Sequence, residues 1–393
     1  MQETADLNTV QDTAERTRPV LLQVLPALEA GGAERAAVDV AVAAAQSGWE
    51  SLVASSGGRM VHELERGGAE HITMPIDSRN PFRILRQRGR LEGLIRARSV
   101  DIVHARSRAL TLSLEVVARR TGVPFVTTVH TTYPTGNPIK KLYNRRMTRA
   151  DRVIAVSDYI ADHLRTTYGL DEGRLRTVHR GIDFAIFDAT AVSAERQIQL
   201  ANEWRLPDGL SVVLLPAEFA PENGQSVLLE ALAKLNRHDM VALMAGADAD
   251  RGQFREQLEK QVSERGLERV VRLRDRCSDM AAAYMLADVV VCPTTAPAGF
   301  SRVPVEAQAM GRPVIASDHG SARETILEGR TGWLVKPGDA DSLAAALTTA
   351  LDMDQAARSA VAADARQHVE GAFSKRQMCY RTLEIYGELL NSR

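Results

Sequence analysis

Four short stretches carry residue types that suit the handling of an anion or a sugar. "LEAGGAER" (28–35) sets Gly31 and Gly32 between an apolar run and the start of an amphipathic segment. Glycine lets a ligand approach the backbone, and the amides of a helix N-terminus favour negative charge. A tight turn that needs φ > 0 is the plainer reading of the same pair. His130 ends the run "FVTTVH" and His104 ends "DIVH". A histidine at the carboxyl end of a strand in an α/β sheet stands where such sheets bind ligands. His179 precedes Arg180, a cation within reach of the same region. "VEAQAMGRPVIASDHGSARETI" (305–326) supplies Glu306 near the start of one helix and Gly320 before another. A carboxylate can accept two hydrogen bonds from a ribose diol, although a helix-dipole cap explains Glu306 as well. Gly320 and the helix after it form a second phosphate-like cradle.

These residues need strands and helices to hold them, and the chain alternates the two. The first set comprises apolar runs at 19–26, 50–56, 70–76, 100–107, 124–133, 152–156 and 174–183, separated by helical patterns such as 33–48, 82–98 and 109–121. The second set begins near 210 with "LSVVLLP". It continues through helix 224–236, "DMVALMAG", helix 251–265, "RVVRLRDR" and helix 279–287. "DVVVCPT", helix 303–310, "RPVIASD", helix 321–328, "GWLVKP" and helix 339–352 complete it. Short buried-type strands alternating with helices predict parallel sheets covered on both faces. Two sets in 393 residues predict two doubly wound α/β domains, since one core stops growing at roughly 250–300 residues. The expected division is a disordered tail at 1–18, a first Rossmann-like domain at 19–188, a second at 189–372, and a helix at 373–393 returning to the first domain. The segment 188–209 reads as the bridge.

Composition excludes some classes. The chain is 45% hydrophobic and 25% charged with a net charge of −1, an ordinary globular balance that gives nucleic acid no global attraction. Basic residues do cluster, at Arg79, Arg83, Arg86, Arg88, Arg90, Arg96 and Arg98, and again at Lys140, Lys141, Arg145, Arg146, Arg149 and Arg152. Each cluster is either a solvated helix face or a surface for anionic lipid or a phosphate-bearing acceptor. Cys277, Cys292 and Cys379 lack CxxC spacing, which predicts buried or free thiols, no zinc site and a reducing compartment. No apolar run reaches the roughly 18 residues of a membrane span. The expected location is cytoplasmic, peripheral on the inner face of the membrane.

With these motifs in place the chain resembles the retaining glycosyltransferases of family 4, over roughly residues 19–390. "GGAER" is similar to the family's amino-terminal glycine loop, and "TVHTTY" to the segment whose histidine contacts the donor sugar. "VIAVSDYIADHL" and "RLRTVHRGID" resemble the family's approach between domains. "VEAQAMGRPVIASDHGSARETI" resembles the carboxyl-terminal signature, the most specific of the set. The resemblance implies the GT-B architecture, two Rossmann-like domains facing a central cleft. It also implies transfer of a sugar from a nucleotide-sugar donor to a saccharide or lipid-linked acceptor, without metal or other cofactor and with retained configuration. Gly31 and Gly32 would then lie near the transferred sugar or departing phosphate, and His130 would contact the sugar. Glu306 would hold the ribose, with Arg302 beside it, and Glu324 would support the loop carrying Gly320.

The sequence departs from that pattern where the donor should sit. The signature's first glutamate, eight positions before Glu306, is Ala298, and the usual glycine after Phe300 is Ser301. Aligned through "GQSVLLEAL", Glu218 takes the place of the family's diphosphate-gripping arginine and Asn223 that of its lysine. Asp275 stands where a glycine is usual. A charge-assisted hydrogen bond to phosphate contributes about 1.5–3 kcal/mol. Losing two removes about 3–6 kcal/mol, roughly two to four decades in affinity or rate. Arg180, Arg302 or Lys336 is the available replacement. Three readings stay open: an active transferase with a reshaped donor site, a catalytically impaired scaffold or regulator of polysaccharide or lipopolysaccharide synthesis, and an enzyme taking a donor with a single phosphate.

Overall fold

The computed structural model describes residues 18–29, 31–77, 86–133, 136–248 and 252–392. The predicted tail, apart from Arg18, and Arg79 and Arg83 of the first basic cluster lie outside the described residues. The described chain divides into two units, one reaching Thr127 and including the chain from Tyr386, the other running from Thr128 to Ile385.

In the first unit the strands are β1 (Val20–Val24), β2 (Glu50–Ser55), β3 (Glu70–Thr73), β4 (Ile102–Ala105) and the start of β5 (Phe125–Val129). Their order is β3-β2-β1-β4-β5, and each registered pair is parallel. β1 is buried along its whole length, as its run "VLLQV" requires. The helix Gly32–Gln46 packs through Ala36, Ala37, Val40, Ala41 and Ala44, small side chains that let it lie close to the sheet. Tyr386 is fully buried, lies 5.9 Å from the Trp49 ring, and its hydroxyl sits 2.6 Å from His104 Nδ1. His104 is therefore a satisfied core histidine, not an exposed strand-end group.

The second unit holds the parallel pair β6 (Arg152–Ala155) and β7 (Leu175–Thr177). Its six-stranded sheet contains β8 (Ser211–Pro216), β9 (Met240–Ala245), β10 (Val271–Arg274), β11 (Val289–Cys292), β12 (Val314–Ser317) and β13 (Gly332–Val335). The order is β10-β9-β8-β11-β12-β13. Alternate residues feed two separate cores, as the two-residue period of a strand demands. Val212 and Leu214 join Tyr284, Phe187 and Trp204. Val213 and Leu215 join Phe219, Leu228 and Leu343. Both faces are covered, which is why these strands read as continuous apolar runs.

Two differences from the sequence reading have local causes. The bridge 188–209 contains a helix, Ala194–Trp204, started by Ser193 Oγ accepting from Arg196 N at 3.4 Å and anchored by buried Leu200 and Trp204. The helix expected at 321–328 is one turn, Ala322–Thr325, because Leu327 N turns back to Thr331 Oγ1 at 2.9 Å.

Candidate functional site

The strand order of the six-stranded parallel sheet reverses between β8 and β11, and doubly wound sheets bind ligands at the carboxyl ends of the strands flanking such a point. Two loops meet there, 217–224 after β8 and 293–301 after β11. They are joined by Thr295 N donating to Glu222 O at 2.9 Å. Glu218, Asn223 and Ala298 all lie on them.

The first loop closes on itself. The Glu218 carbonyl accepts from Asn223 Nδ2 at 2.8 Å and from Gln225 Nε2 at 2.7 Å. The Asn223 amide is thus committed to the turn, and the Glu218 side chain is exposed. Phe219, the next residue, is buried under the Arg255 guanidinium, 5.3 Å from its ring centroid. Arg255 is itself held by Asp275 at 2.5 Å, with Glu259 at 3.7 Å and Asp248 at 3.9 Å. Asp275 therefore has a structural partner that its place in the sequence did not reveal.

The second loop is fixed by backbone contacts. Ser157 Oγ donates to Gly299 O at 2.6 Å. A Cβ at Gly299 would lie 2.2 Å from His130 O. Ser321 N donates to Ala298 O at 3.2 Å. Gly320 has φ 60°, and a Cβ there would lie 2.4 Å from Ala298 O. His130, Ala298, Gly299 and Gly320 are thus gathered in one place. Arg180 Nη2 lies 2.8 Å from His130 Nδ1. A guanidinium only donates, so Nδ1 accepts, and the neutral ring carries its proton on Nε2.

Glu306 is 7% exposed. Its Oε2 accepts from Tyr284 Oη at 2.9 Å and its Oε1 pairs with Arg302 at 2.8 Å. Burial pushes its carboxyl above the usual range, against the pull of Arg302 and Tyr284. Burial and the nearby Glu306 charge raise the Tyr284 hydroxyl as well and push the Cys292 thiol up to about 12. Each Glu306 oxygen has one partner, and a carboxylate offers about four acceptor sites, so capacity for a ribose diol remains.

Glu324 works at longer range than the sequence suggested. Its oxygens accept from Asp158 N at 2.8 Å and Tyr159 N at 2.7 Å, capping the helix Asp158–Tyr168 beside the Ser157 cap. His179 Nε2 lies 2.9 Å from the same carboxylate. Among the described residues, Asp158, His179 and Glu324 also form a group offering three ligating atoms within 4.8 Å of one another. Lys336 is paired with Asp339 at 3.3 Å.

In the first unit, Gly31 is the N-cap of its helix with φ −79°, and Gly32 also lies outside the positive-φ region. A turn that needs φ > 0 therefore does not explain them. The nearest atoms to a Cβ at Gly31 would be those of the flexible Glu34 carboxylate. As a glycine, Gly31 offers no side-chain cap to the first amides of this helix.

Comparison with known proteins agrees with this architecture. The family described as Glycosyltransferase Family 4 matches residues 30–185, and that described as Glycosyl transferases group 1 matches residues 197–368. A glycosyltransferase of known structure from Rickettsia africae is 32% identical, with a TM-score of 0.89 over 96% of this chain and 100% of that one. The chain belongs to glycosyltransferase family 4. The glycosyltransferase is also 28% identical to a D-inositol 3-phosphate glycosyltransferase of Nocardioides, over 90% of this chain and 81% of that protein. Another of that name, from Catenulispora acidiphila, is 29% identical over 75% of this chain and 74% of its own. Anabaena HepE, solved with UDP-glucose, shares the fold at a TM-score of 0.80 and 21% identity, covering 94% of this chain and 99% of its own. The expected GT-B architecture of two parallel-stranded, Rossmann-like α/β sheets is the one the glycosyltransferase has.

Sequence reasoning missed several residues that shape the site. Ser157 and Tyr284 gave no signal, because their partners lie 142 and 22 residues away. Arg302 and Glu306 stand four apart on one helix face, a spacing that announces an ion pair.

Proposed function

We propose that this glycosyltransferase moves a sugar from a nucleoside diphosphate sugar to a hydroxyl of a saccharide or lipid-linked acceptor, with retained configuration and no resident metal. The observation that carries this reading is the convergence of the loops after β8 and β11 with His130 and Gly320 at the switch point of the second sheet. The HepE structures with UDP and UDP-glucose support a nucleotide-sugar donor. The relatives named for D-inositol 3-phosphate support a small polar acceptor as one alternative to an envelope saccharide.

In this reading His130, its Nδ1 occupied by Arg180, turns Nε2–H toward a sugar hydroxyl. The backbone at Gly320 receives donor phosphate. Glu306 accepts from the ribose on its remaining lone pairs, and Arg302 beside it offsets part of the charge missing at Glu218 and Asn223. Arg180 supplies the rest. Retention needs the acceptor hydroxyl to attack on the face the leaving diphosphate vacates, so stabilising that diphosphate is the main catalytic task. The exposed Lys140, Lys141, Arg145 and Arg149, with Leu142 60% exposed among them, suit an anionic membrane surface. No described helix is long and apolar enough to cross one.

A second reading follows from the same loop. With an exposed acid at Glu218 and Asn223 spent on the turn, the chain would be a catalytically impaired relative that regulates or scaffolds polysaccharide or lipopolysaccharide synthesis. The test is to incubate the purified protein with a panel of nucleotide sugars, following slow release of nucleoside diphosphate and shifts in melting temperature. Release and a shift with at least one donor are expected. No shift with any donor at millimolar concentration favours the second reading.

A further inference from the structure

Away from the switch point, the second unit contains a cavity of about 620 Å³ whose lining includes Arg312, Arg358, Arg366, Gln355, Ser359 and Glu370. Its size suits a small molecule. Its charge is unevenly shared. Arg366 has two acidic partners, Asp188 at 3.1 Å and Glu370 at 3.5 Å. Arg358 reaches Asp288 Oδ1 at 3.5 Å and the Asp288 carbonyl at 3.2 Å. Asp288 also accepts from Val212 N at 2.8 Å.

Arg312 is the least compensated. Its side chain makes one hydrogen bond among the described residues, Nη2 to the weak acceptor Met285 Sδ at 3.3 Å, and its Nε is buried with no acceptor. Burial, together with the charge of Arg358, holds its guanidinium below the usual arginine range, while Asp288 acts in the opposite sense. Two guanidiniums thus face one carboxylate. A half-buried guanidinium with so few acceptors costs free energy that an anion would recover. Gln355 and Arg358 sit in the first turn of the 18-residue helix Gln355–Ala372, whose end is capped by Asp354 Oδ1 accepting from Ala357 N at 2.7 Å, so the attraction for an anion rests on the guanidiniums. Met310, Gly311 and Ala362 supply an apolar wall.

We propose that this cavity binds a small phosphate monoester, its phosphate between Arg312 and Arg358 and its hydroxyl-bearing remainder toward Gln355 and Ser359. The site is an effector site. Met310, Gly311 and Arg312 follow directly on the helix Arg302–Ala309 that carries Arg302 and Glu306, so an occupant braces that helix from its far end.

The experiment is calorimetric titration of the full chain with inorganic phosphate and, separately, with a hexose 6-phosphate, at constant ionic strength. Wild type binds both. Arg358→Gln removes one charge-assisted contact and weakens both about ten- to a hundredfold, with a circular dichroism melt close to wild type. Arg312→Gln does the same where it folds. Wild type that takes up neither probe in the millimolar range overturns the proposal. So does binding that survives unchanged in Arg358→Gln, since the anion then sits elsewhere, for example at the switch point.

Discussion

Replacing Glu324 by alanine removes one carboxylate that serves three donors. Asp158 N and Tyr159 N are 2.8 and 2.7 Å from its oxygens, and His179 Nε2 is 2.9 Å away. A hydrogen bond to a charged group contributes about 1.5–3 kcal/mol net. Asp158 is exposed and Tyr159 half-buried, so water recovers part of the loss at the first amide and less at the second. The Ser157 cap, which accepts from Ile160 N at 3.2 Å, survives and keeps the helix from unravelling. The expected destabilisation is about 2–4 kcal/mol for Glu324→Ala, and about half that for Glu324→Gln, which retains one acceptor oxygen. In a chain of this size each kcal/mol lowers the melting temperature by about 2–4 °C or less. Urea denaturation followed by circular dichroism measures the change, with an unchanged m-value showing that the unfolded state is the same. Glu324→Ala within about 0.5 kcal/mol of wild type would refute the reasoning, because an amide-capping carboxylate cannot be silent.

Other consequences can be checked separately. Arg302→Met leaves the Glu306 carboxylate buried without its cation and should cost about 3–5 kcal/mol at neutral pH, and adding Glu306→Gln should recover most of it in the same denaturation assay. Burial raises the Glu306 carboxyl above its ordinary 4.5, so the folded state binds this proton more tightly than the unfolded state. Its contribution to stability therefore falls as pH rises from 4.5 through the raised folded value, and denaturation at several pH values should show Glu306→Gln removing that slope. Gly299→Ala places a Cβ 2.2 Å from His130 O, a backbone clash that must move the loop. A destabilisation of about 1–3 kcal/mol and a larger proportional loss of kcat/KM are expected from melting and transfer assays. The Cys292 thiol, pushed up to about 12, should stay unreactive toward Ellman's reagent at pH 8 until the chain is unfolded.

The central strands were legible because they are short apolar runs buried on both faces, and β8, β9 and β11 fall inside the stretches the sequence marks out. The helix Ala194–Trp204 was missed although Ser193 announces its start, because the apolar positions Leu200 and Trp204 are too sparse for a strong period. His130 does stand directly after β5, where the sequence places it, whereas His104, expected at an equivalent strand end, is a core residue whose partner Tyr386 lies 282 positions away. The same distance problem hid the true work of Glu324 and Asp275. A single sequence shows which residue types stand at strand ends, but not which of them another segment has already satisfied. The substitutions at Glu218, Asn223 and Ala298 were visible from sequence, and the structure adds that Asn223 is tied into its turn.

The central claim is that the switch-point site takes a nucleotide-sugar donor although two cations and one carboxylate are missing from it. Calorimetric titration of UDP-glucose into wild type and into Glu218→Arg/Asn223→Lys/Ala298→Glu tests it most directly. Restoring two charge-assisted contacts is worth about 3–6 kcal/mol at most. The account predicts weak, measurable binding by wild type and binding tighter by roughly two to four decades in the triple variant. A triple variant that folds as wild type does and binds no more tightly would contradict it.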